Sequence, residues 1–333
     1  MAPLAARSPA LAAELLLLGV AAVWGGTFPV IKALVGQVPP HTLLALRFVA
    51  AAGLLLVPAW PRYAALEPRA RRVLALQGMV LGLCLWAGYF LQTAGLQFTT
   101  ASKAAFLTAL GVVLVPLLGA LFFRYQPSRT TWLGVGVAAA GLACLSLPGG
   151  EGWFPSHGDL LVLLAAVAFA LQVLLVDRWG HRHDPLLLTA VELATVALLS
   201  VPAALAFEGF PLRHPWSLWV GLAYLAVPAT AVALWIQIRY QHHTDPTRVG
   251  IILSTEPVFG ALLAWVFLGE RMTLQGLAGA ALVLAGLLLT EAGGRRPPGP
   301  VPEDGRNWER GVAPHLQAPL GPAPLARGRG RRV

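Results

Sequence analysis

The sequence predicts an all-α membrane protein with ten transmembrane helices arranged as two inverted five-helix repeats. Composition, ten apolar segments and an internal repeat lead to this prediction. Of the 333 residues, 57% are hydrophobic and 12% are charged, whereas a soluble domain is about 45–50% apolar and about 25% charged. A soluble domain also needs a polar exterior. The composition therefore excludes an ordinary soluble protein and a disordered one.

Ten segments have the composition of a spanning helix, which needs about 20 mostly apolar residues. They are separated by turn-forming or charged clusters such as Pro39-Pro40 and the arginine-rich stretch at 69–72. In order, the segments are 11–35, 42–59, 73–94, 101–123, 132–147, 159–176, 186–207, 216–238, 247–268 and 273–289.

The basic residues predict the orientation in the membrane. With the N-terminus in the cytoplasm, 19 Lys and Arg lie in cytoplasmic segments and four lie outside. Because cytoplasmic loops are enriched in Lys and Arg, we predict a multi-pass protein of the cytoplasmic (inner) membrane with both termini in the cytoplasm.

The net charge of +9 does not indicate a nucleic-acid partner, since eight of the 24 basic residues follow Glu291. Residues 292–333 also contain eight Pro and eight Gly. We predict a disordered cytoplasmic tail there, without a role in transport.

The chain aligns with itself at an offset of 145 residues, without a gap. The alignment predicts one five-helix repeat over residues 11–148 and a second over 159–290. Five is an odd number, so the second copy enters the membrane from the opposite side, as in many secondary transporters. Matching pairs include Gln92 with Gln237, Lys103 with Arg248, Gly134 with Gly279 and Gly141 with Gly286.

Small residues on the fifth and tenth segments predict close helix packing, or a homodimer contact as the alternative. They are Gly134, Gly136, Ala138, Ala140 and Gly141 on the fifth segment, and Gly276, Gly279 and Ala280 on the tenth.

Short motifs in a fixed order resemble the EamA family of the drug/metabolite transporter superfamily, over about residues 13–290. The resemblance implies ten helices and carrier-mediated movement, often export, of small metabolites or drugs. Where the family often has Gly-Glu after the fourth helix, this chain has Arg124-Tyr125, so only Glu270 can carry a role of that acidic residue. The motifs are Trp24-Gly25-Gly26-Thr27-Phe28 with Lys32, Arg47-Phe48, Thr99-Thr100-Ala101-Ser102-Lys103-Ala104-Ala105, Glu256-Pro257 and Leu268-Gly269-Glu270-Arg271.

Glu256 is the first candidate for substrate binding or proton coupling. It lies nine residues into the ninth segment, about 14 Å from its cytoplasmic start and thus near the midplane. Ionisable groups at that depth are costly, and Pro257 interrupts the helix beside it. The alternative is a structural carboxylate that bonds to a neighbouring helix.

Further candidates are polar or aromatic residues inside the segments, and the alternative for each is helix packing or, for Lys32, contact with headgroups. Arg47 and Glu192 are equivalent under the repeat, but inversion places them at different depths. We therefore predict that they bond local groups, water or lipid phosphate rather than each other. The candidates are Trp24, Thr27, Phe28, Lys32, Arg47, Tyr89, Gln92, Gln172, Trp235 and Gln237.

These observations predict a secondary active transporter, an exporter of small organic metabolites such as amino acids or drugs, working by alternating access with proton coupling. The alternatives are an intramembrane enzyme acting on lipid-linked substrates and a non-transporting membrane partner protein. The sequence has no HExxH, Walker or GxSxG motif. We therefore predict no catalytic residues, cofactor or metal, and expect a small-molecule substrate, lipid contact and a monomer or homodimer.

The predicted orientation has a direct test. An epitope tag fused after Val333 should be labelled only after cells are permeabilised, because the tail is predicted to be cytoplasmic. Labelling of the tag in intact cells would contradict the prediction.

Overall fold

A computed structural model describes residues 9–123, 127–146, 156–209, 216–240 and 252–293 of the chain. All regular structure in these ranges is helical. The elements are α1 (Pro9–Leu34), α2 (Pro40–Ala64), α3 (Pro68–Gly95), α4 (Ala101–Ala109), α5 (Gly111–Phe123), α6 (Arg129–Ser146), α7 (His157–Trp179), a 3₁₀ turn (Gly180–Arg182), α8 (Pro185–Phe207), α9 (Trp216–Ala226), a π-helical segment (Val227–Val232), α10 (Ala233–Tyr240), α11 (Glu256–Leu268) and α12 (Leu274–Gly293). The predicted tail lies outside the described residues.

Local chemistry determines where several helices begin and end. Proline occupies the first turn of α2, α3 and α8, where its missing N–H costs no helical hydrogen bond. Ser156 and Asp159 form a capping box at the start of α7. Gly269 ends α11 with a φ of 66°, a left-handed conformation that glycine adopts without strain.

Seven spans in the described residues are long and apolar enough to cross a membrane. The sequence predicts ten, and the three remaining segments correspond to α6, α11 and α12. α11 and the apolar part of α12 are shorter apolar helices. α6 has 18 residues and begins with Arg129, Thr130 and Thr131. The count of ten therefore stays a prediction.

The outward-facing surface of these helices is apolar. Val57, Phe207 and Leu274 are 77%, 80% and 85% exposed. Such side chains suit a lipid environment, where apolar surface has no cost of exposure to water.

The helices of the two predicted repeats fall at equivalent positions. Adding 145 to the bounds of α2 gives 185–209, and α8 covers Pro185–Phe207. Adding 145 to α6 gives 274–291, and α12 covers Leu274–Gly293. The equivalent helices α2 and α8 pack on each other, and so do α6 and α12.

Glycines bring α6 and α12 into close contact, as the sequence predicts. A Cβ added at Gly141 would lie 2.7 Å from the Gly279 carbonyl oxygen, and one at Gly134 would lie 2.7 Å from that of Gly286. Gly134 and Gly141 are equivalent to Gly279 and Gly286 in the repeat. Exchanging the two halves therefore turns the contact of Gly134 with Gly286 into the contact of Gly279 with Gly141. Gly136 differs from its neighbours, since nothing lies within 4 Å of its added Cβ.

The substitution Gly141→Ala should destabilise the protein by about 1–3 kcal/mol, because the new methyl meets backbone atoms of α12. Gly136→Ala is the matched control on the same helix, and it should be neutral or stabilising because alanine favours helix. Thermal unfolding of the purified protein in detergent measures both variants. Equal midpoints for the two would contradict this packing.

Candidate substrate-binding and coupling site

Arg47 is a fully buried cation in the contact between α2, α3 and the π-helical segment. The residue is 1% exposed. Its Nε donates a 2.8 Å hydrogen bond to Thr230 Oγ1. Its guanidinium carbon lies 4.5 Å from the centre of the Tyr89 ring and 5.3 Å from that of Phe48, within the range of cation–π attraction. All three of these partners are uncharged.

The π-helical segment presents Thr230 to this arginine. Pro228 lies inside the segment and has no N–H, so it cannot donate a helical hydrogen bond. Two backbone carbonyls near it accept hydrogen bonds from side chains. Thr230 Oγ1 donates to the Leu225 carbonyl at 2.7 Å, and Trp24 Nε1 donates to the Ala229 carbonyl at 2.9 Å.

Glu192 lies nearby and has a different partner. It is completely buried, and Gln172 Nε2 donates to its Oε1 at 2.7 Å. Its Oε2 has no hydrogen-bond partner. Within the described ranges, Arg47 and Glu192 form no ion pair with each other. Their hydrogen-bond partners in these ranges are the Thr230 hydroxyl and the Gln172 amide.

Tyr89 connects the charged groups. Its hydroxyl interacts electrostatically with Arg47, Glu192 and Glu256, and its ring packs against Phe48 and Phe169 at centroid distances of 5.1 and 5.2 Å. One aromatic side chain on α3 therefore contacts or faces groups from both halves of the sequence.

Glu256 lies at a break in a helix, next to Pro257, where the sequence predicts an interruption. A turn at Ser254 and Thr255 precedes α11, which begins at Glu256. Residues 247–251, the predicted start of this span, lie outside the described ranges. A carboxylate at a helix N-terminus is favoured by the helix dipole.

The first half contains the same break. α4 ends at Ala109 and α5 begins at Gly111, and Gly111 is equivalent to Glu256. The amide of Leu110 bonds to the Leu107 carbonyl, as that of Thr255 bonds to Ile252. The two breaks thus have the same backbone pattern, and only the second carries an ionisable side chain.

Helix α1 packs directly against the second break. A Cβ added at Gly25 would lie 2.7 Å from the Glu256 carbonyl oxygen and 2.7 Å from Phe259 Cβ. Glycine is therefore required here by the close approach of two backbones. The neighbouring Gly26 faces the Tyr224 hydroxyl, which donates to the Val23 carbonyl at 2.6 Å.

The structure brings some predicted site residues together and leaves others apart. Trp24, Arg47, Tyr89 and Glu256 surround one region, and Gln172 joins it through Glu192. The other predicted residues have separate environments. Three of them donate hydrogen bonds: Thr27 Oγ1 to the Trp24 carbonyl, Lys32 Nζ to the Leu96 carbonyl and Gln92 Nε2 to Thr108 Oγ1. Phe28 is 1% exposed in the core, Trp235 is edge-on to Tyr240, and Gln237 is half-buried.

Sequence reasoning missed Thr230 and Tyr224. The one signal was Pro228 in the middle of an apolar segment, which indicates a local break in the hydrogen-bond ladder. Neither the type of break nor the side chain that it would present follows from that signal.

Two carboxylates from the second half bind helix starts of the first half. Glu208 accepts hydrogen bonds from the amides of His41 and Thr42 at 2.9 and 2.7 Å. Glu270 accepts from the amides of Ala101 and Ser102 at 2.9 and 3.0 Å. These amides have no partners within their own helices. The positions equivalent to Glu208 and Glu270 in the first half are Tyr63 and Tyr125.

Each carboxylate should protect its own pair of amides. In Glu270→Ala, hydrogen exchange at Ala101 and Ser102 should accelerate about tenfold or more, because a charge-assisted bond is worth about 1.5–3 kcal/mol. Exchange at His41 and Thr42 should be unchanged. Glu208→Ala should give the reciprocal pattern, and the two variants control for each other. Acceleration at both sites in either variant would indicate general loosening instead.

Comparison with known proteins identifies the family. The EamA-like transporter family matches residues 11–147 and 156–291. An uncharacterized transporter of Archaeoglobus fulgidus is 29% identical over 277 residues, which cover 83% of this chain and 85% of that protein. The threonine/homoserine exporter RhtA of Escherichia coli is 34% identical over 185 residues, covering 52% and 58% of the two chains.

A crystal structure of another protein shares the fold, with a TM-score of 0.61 and 20% identity over 84% of this chain and 96% of that one. The two family matches cover most of the sequence and correspond to the two halves described above. The chain therefore belongs to the EamA-like transporter family and is an integral membrane protein.

Proposed function

We propose that this protein is a secondary active exporter that moves a small organic metabolite, such as an amino acid, across the cytoplasmic membrane by alternating access. Membership of the transporter family supports the general activity. The observation that carries the mechanism is the symmetric crossing of α6 and α12. Ten spans with cytoplasmic termini complete the proposed topology.

The crossing supports an inverted repeat for a geometric reason. Gly134 on α6 faces Gly286 on α12, whereas Gly141 faces Gly279, so the two helices run antiparallel where they cross. A rotation that carries α6 onto α12 must therefore reverse the direction of the helix. Its axis is then perpendicular to the helices and lies in the membrane plane, as in inverted-repeat carriers.

The polar contacts at helix ends support the same topology. The contacts of Glu208 with α2 and of Glu270 with α4 join ends that are predicted to lie outside. The pair Arg62–Asp184, at 3.0 Å, joins ends that are predicted to lie in the cytoplasm. The described contacts at the predicted outer end are more extensive and use charge-assisted bonds to helix starts, which suits a carrier closed on that side.

Proton coupling is assigned to Glu256. From Glu256 to Leu268, α11 has 13 residues, which corresponds to about 20 Å at 1.5 Å per residue and leaves Glu256 well inside the bilayer. The carboxyl is costly there in its charged form, so proton uptake and release can accompany a conformational change. Tyr89 is a titratable group that interacts with it. Helices α1 and α4 pack on α11 with Gly25 and Ala105 as close neighbours.

The amino-acid class is supported by one group of relatives, the threonine/homoserine exporters. The similarity to those proteins covers about half of this chain.

Counterflow in proteoliposomes tests the function. Vesicles loaded with one unlabelled pool of amino acids, nucleosides or cationic drugs should accumulate the matching labelled pool, and a pH gradient should drive net movement. The proposal requires accumulation with at least one pool. Folded protein that gives none with any pool, at any pH tested, would overturn it.

The substitution Glu256→Gln should separate exchange from coupling. Counterflow should persist, because the amide preserves the size and hydrogen bonding of the side chain, whereas stimulation by a pH gradient should fall at least tenfold. Glu67→Gln is the control, since Glu67 is an exposed carboxylate at the start of α3 without a side-chain cap bond. An unchanged response to pH in Glu256→Gln would refute coupling through this residue.

A further inference from the structure

We propose that the Arg47 guanidinium binds the carboxylate group of the transported solute. This inference rests on the proposed transport function and specifies the substrate class: organic acids and amino acids that carry a single free carboxylate. The side-chain environment of Arg47 is the starting point.

The buried charge of Arg47 is uncompensated. Its Nη2 has no hydrogen-bond partner, and neither of the two ion pairs among the described residues includes it. An unpaired charge in a low-dielectric interior is very costly. A purely structural arginine would be expected to have all its donors satisfied. The environment of Arg47 therefore lacks an anion that would balance its charge.

The guanidinium is nevertheless held firmly. Thr230 fixes Nε, and the rings of Tyr89 and Phe48 pack against the cation. These contacts define the orientation of the planar group and leave the buried Nη2 without a hydrogen-bond partner. Guanidinium N–H groups match carboxylate oxygens in geometry, so this preorganised donor suits a carboxylate ligand.

A monoanion fits better than a dianion. The groups that interact with the Arg47 charge are the neutral side chains Tyr89 and Tyr224. A phosphate dianion would need additional cations, as phosphate sites with several donors provide. One guanidinium balances one carboxylate.

The position of Arg47 suits a solute rather than a permanently bound ion. Arg47 belongs to the first half and bonds to Thr230 in the second half, 183 residues away. Alternating access moves the halves against each other, so this contact lies where the arginine can be exposed to solute and then enclosed. A carboxylate that binds at this boundary can be released when the halves rearrange.

The test compares solutes that differ only in the carboxylate. Proteoliposomes are assayed for counterflow with pooled L-amino acids and with the corresponding pooled L-amino-acid amides, at constant chloride. The variants are Arg47→Gln, Arg47→Lys and the control Arg72→Gln, which removes an exposed arginine near the start of α3.

We expect amino acids to exchange and the amides to exchange at least tenfold more slowly in the wild-type protein and in Arg72→Gln. Arg47→Gln should lose exchange of amino acids, and Arg47→Lys should restore part of it because it keeps the charge. If Arg47→Gln does not fold, two measurements still test the inference. They are the comparison of amino acids with amides in the wild-type protein and the exchange of amino acids by Arg47→Lys. Equal exchange of amides and acids, or full amino-acid exchange by folded Arg47→Gln, would overturn the inference.

The outcomes also distinguish this inference from the proposed function. Exchange of nucleosides or cationic drugs without amino acids would support transport and overturn the carboxylate site. If no pool exchanges, thermal stabilisation of the purified protein decides. An increase in melting temperature with amino acids that is absent with their amides and in Arg47→Gln supports the site. Stabilisation by chloride alone, or none, overturns it.

Discussion

Hydrocarbon provides no hydrogen bonds, so the backbone polar groups inside this protein must find their partners within the chain. Most backbone groups do so by forming helices. Where a helix is interrupted, side chains from distant segments supply the missing partners. Trp24 and Thr230 bond the carbonyls around Pro228, and Glu208 and Glu270 bond the free amides at the starts of α2 and α4. The interruptions therefore determine which helices come together.

The same requirement explains why polar chemistry gathers at the breaks. The π-helical segment presents Thr230 to Arg47, and the break before α11 places a carboxylate beside α1. Breaks of this kind cost stability in an ordinary core. They are tolerated in carriers where they bind solutes or coupling ions. The equivalent break before Gly111 has no ionisable side chain. The two halves therefore share a backbone architecture but differ in the side chain at the break.

The close packing of α6 and α12 and the carboxylate contacts at helix starts have different roles in the fold. Glycines allow α6 and α12 to cross at backbone distance around a local two-fold relation, which keeps equivalent helices in register. Among the described residues, the carboxylates that bind helix starts come only from the second half. A nearly symmetric scaffold with asymmetric polar contacts can occupy two conformations of unequal stability.

The sequence by itself determined the membrane environment, the repeat and the close packing of Gly134 and Gly141, because composition, period and small side chains act through general properties of a bilayer. It also identified Arg47 and Glu256 as ionisable groups that are costly inside a membrane, and Tyr89 as a polar aromatic candidate for the site. Only the tertiary structure decided that Arg47 meets Thr230, that Glu192 meets Gln172 and that Glu256 begins a helix. These outcomes depend on how the backbone departs from a regular helix near Pro228 and Pro257, and on which distant side chains reach the freed groups.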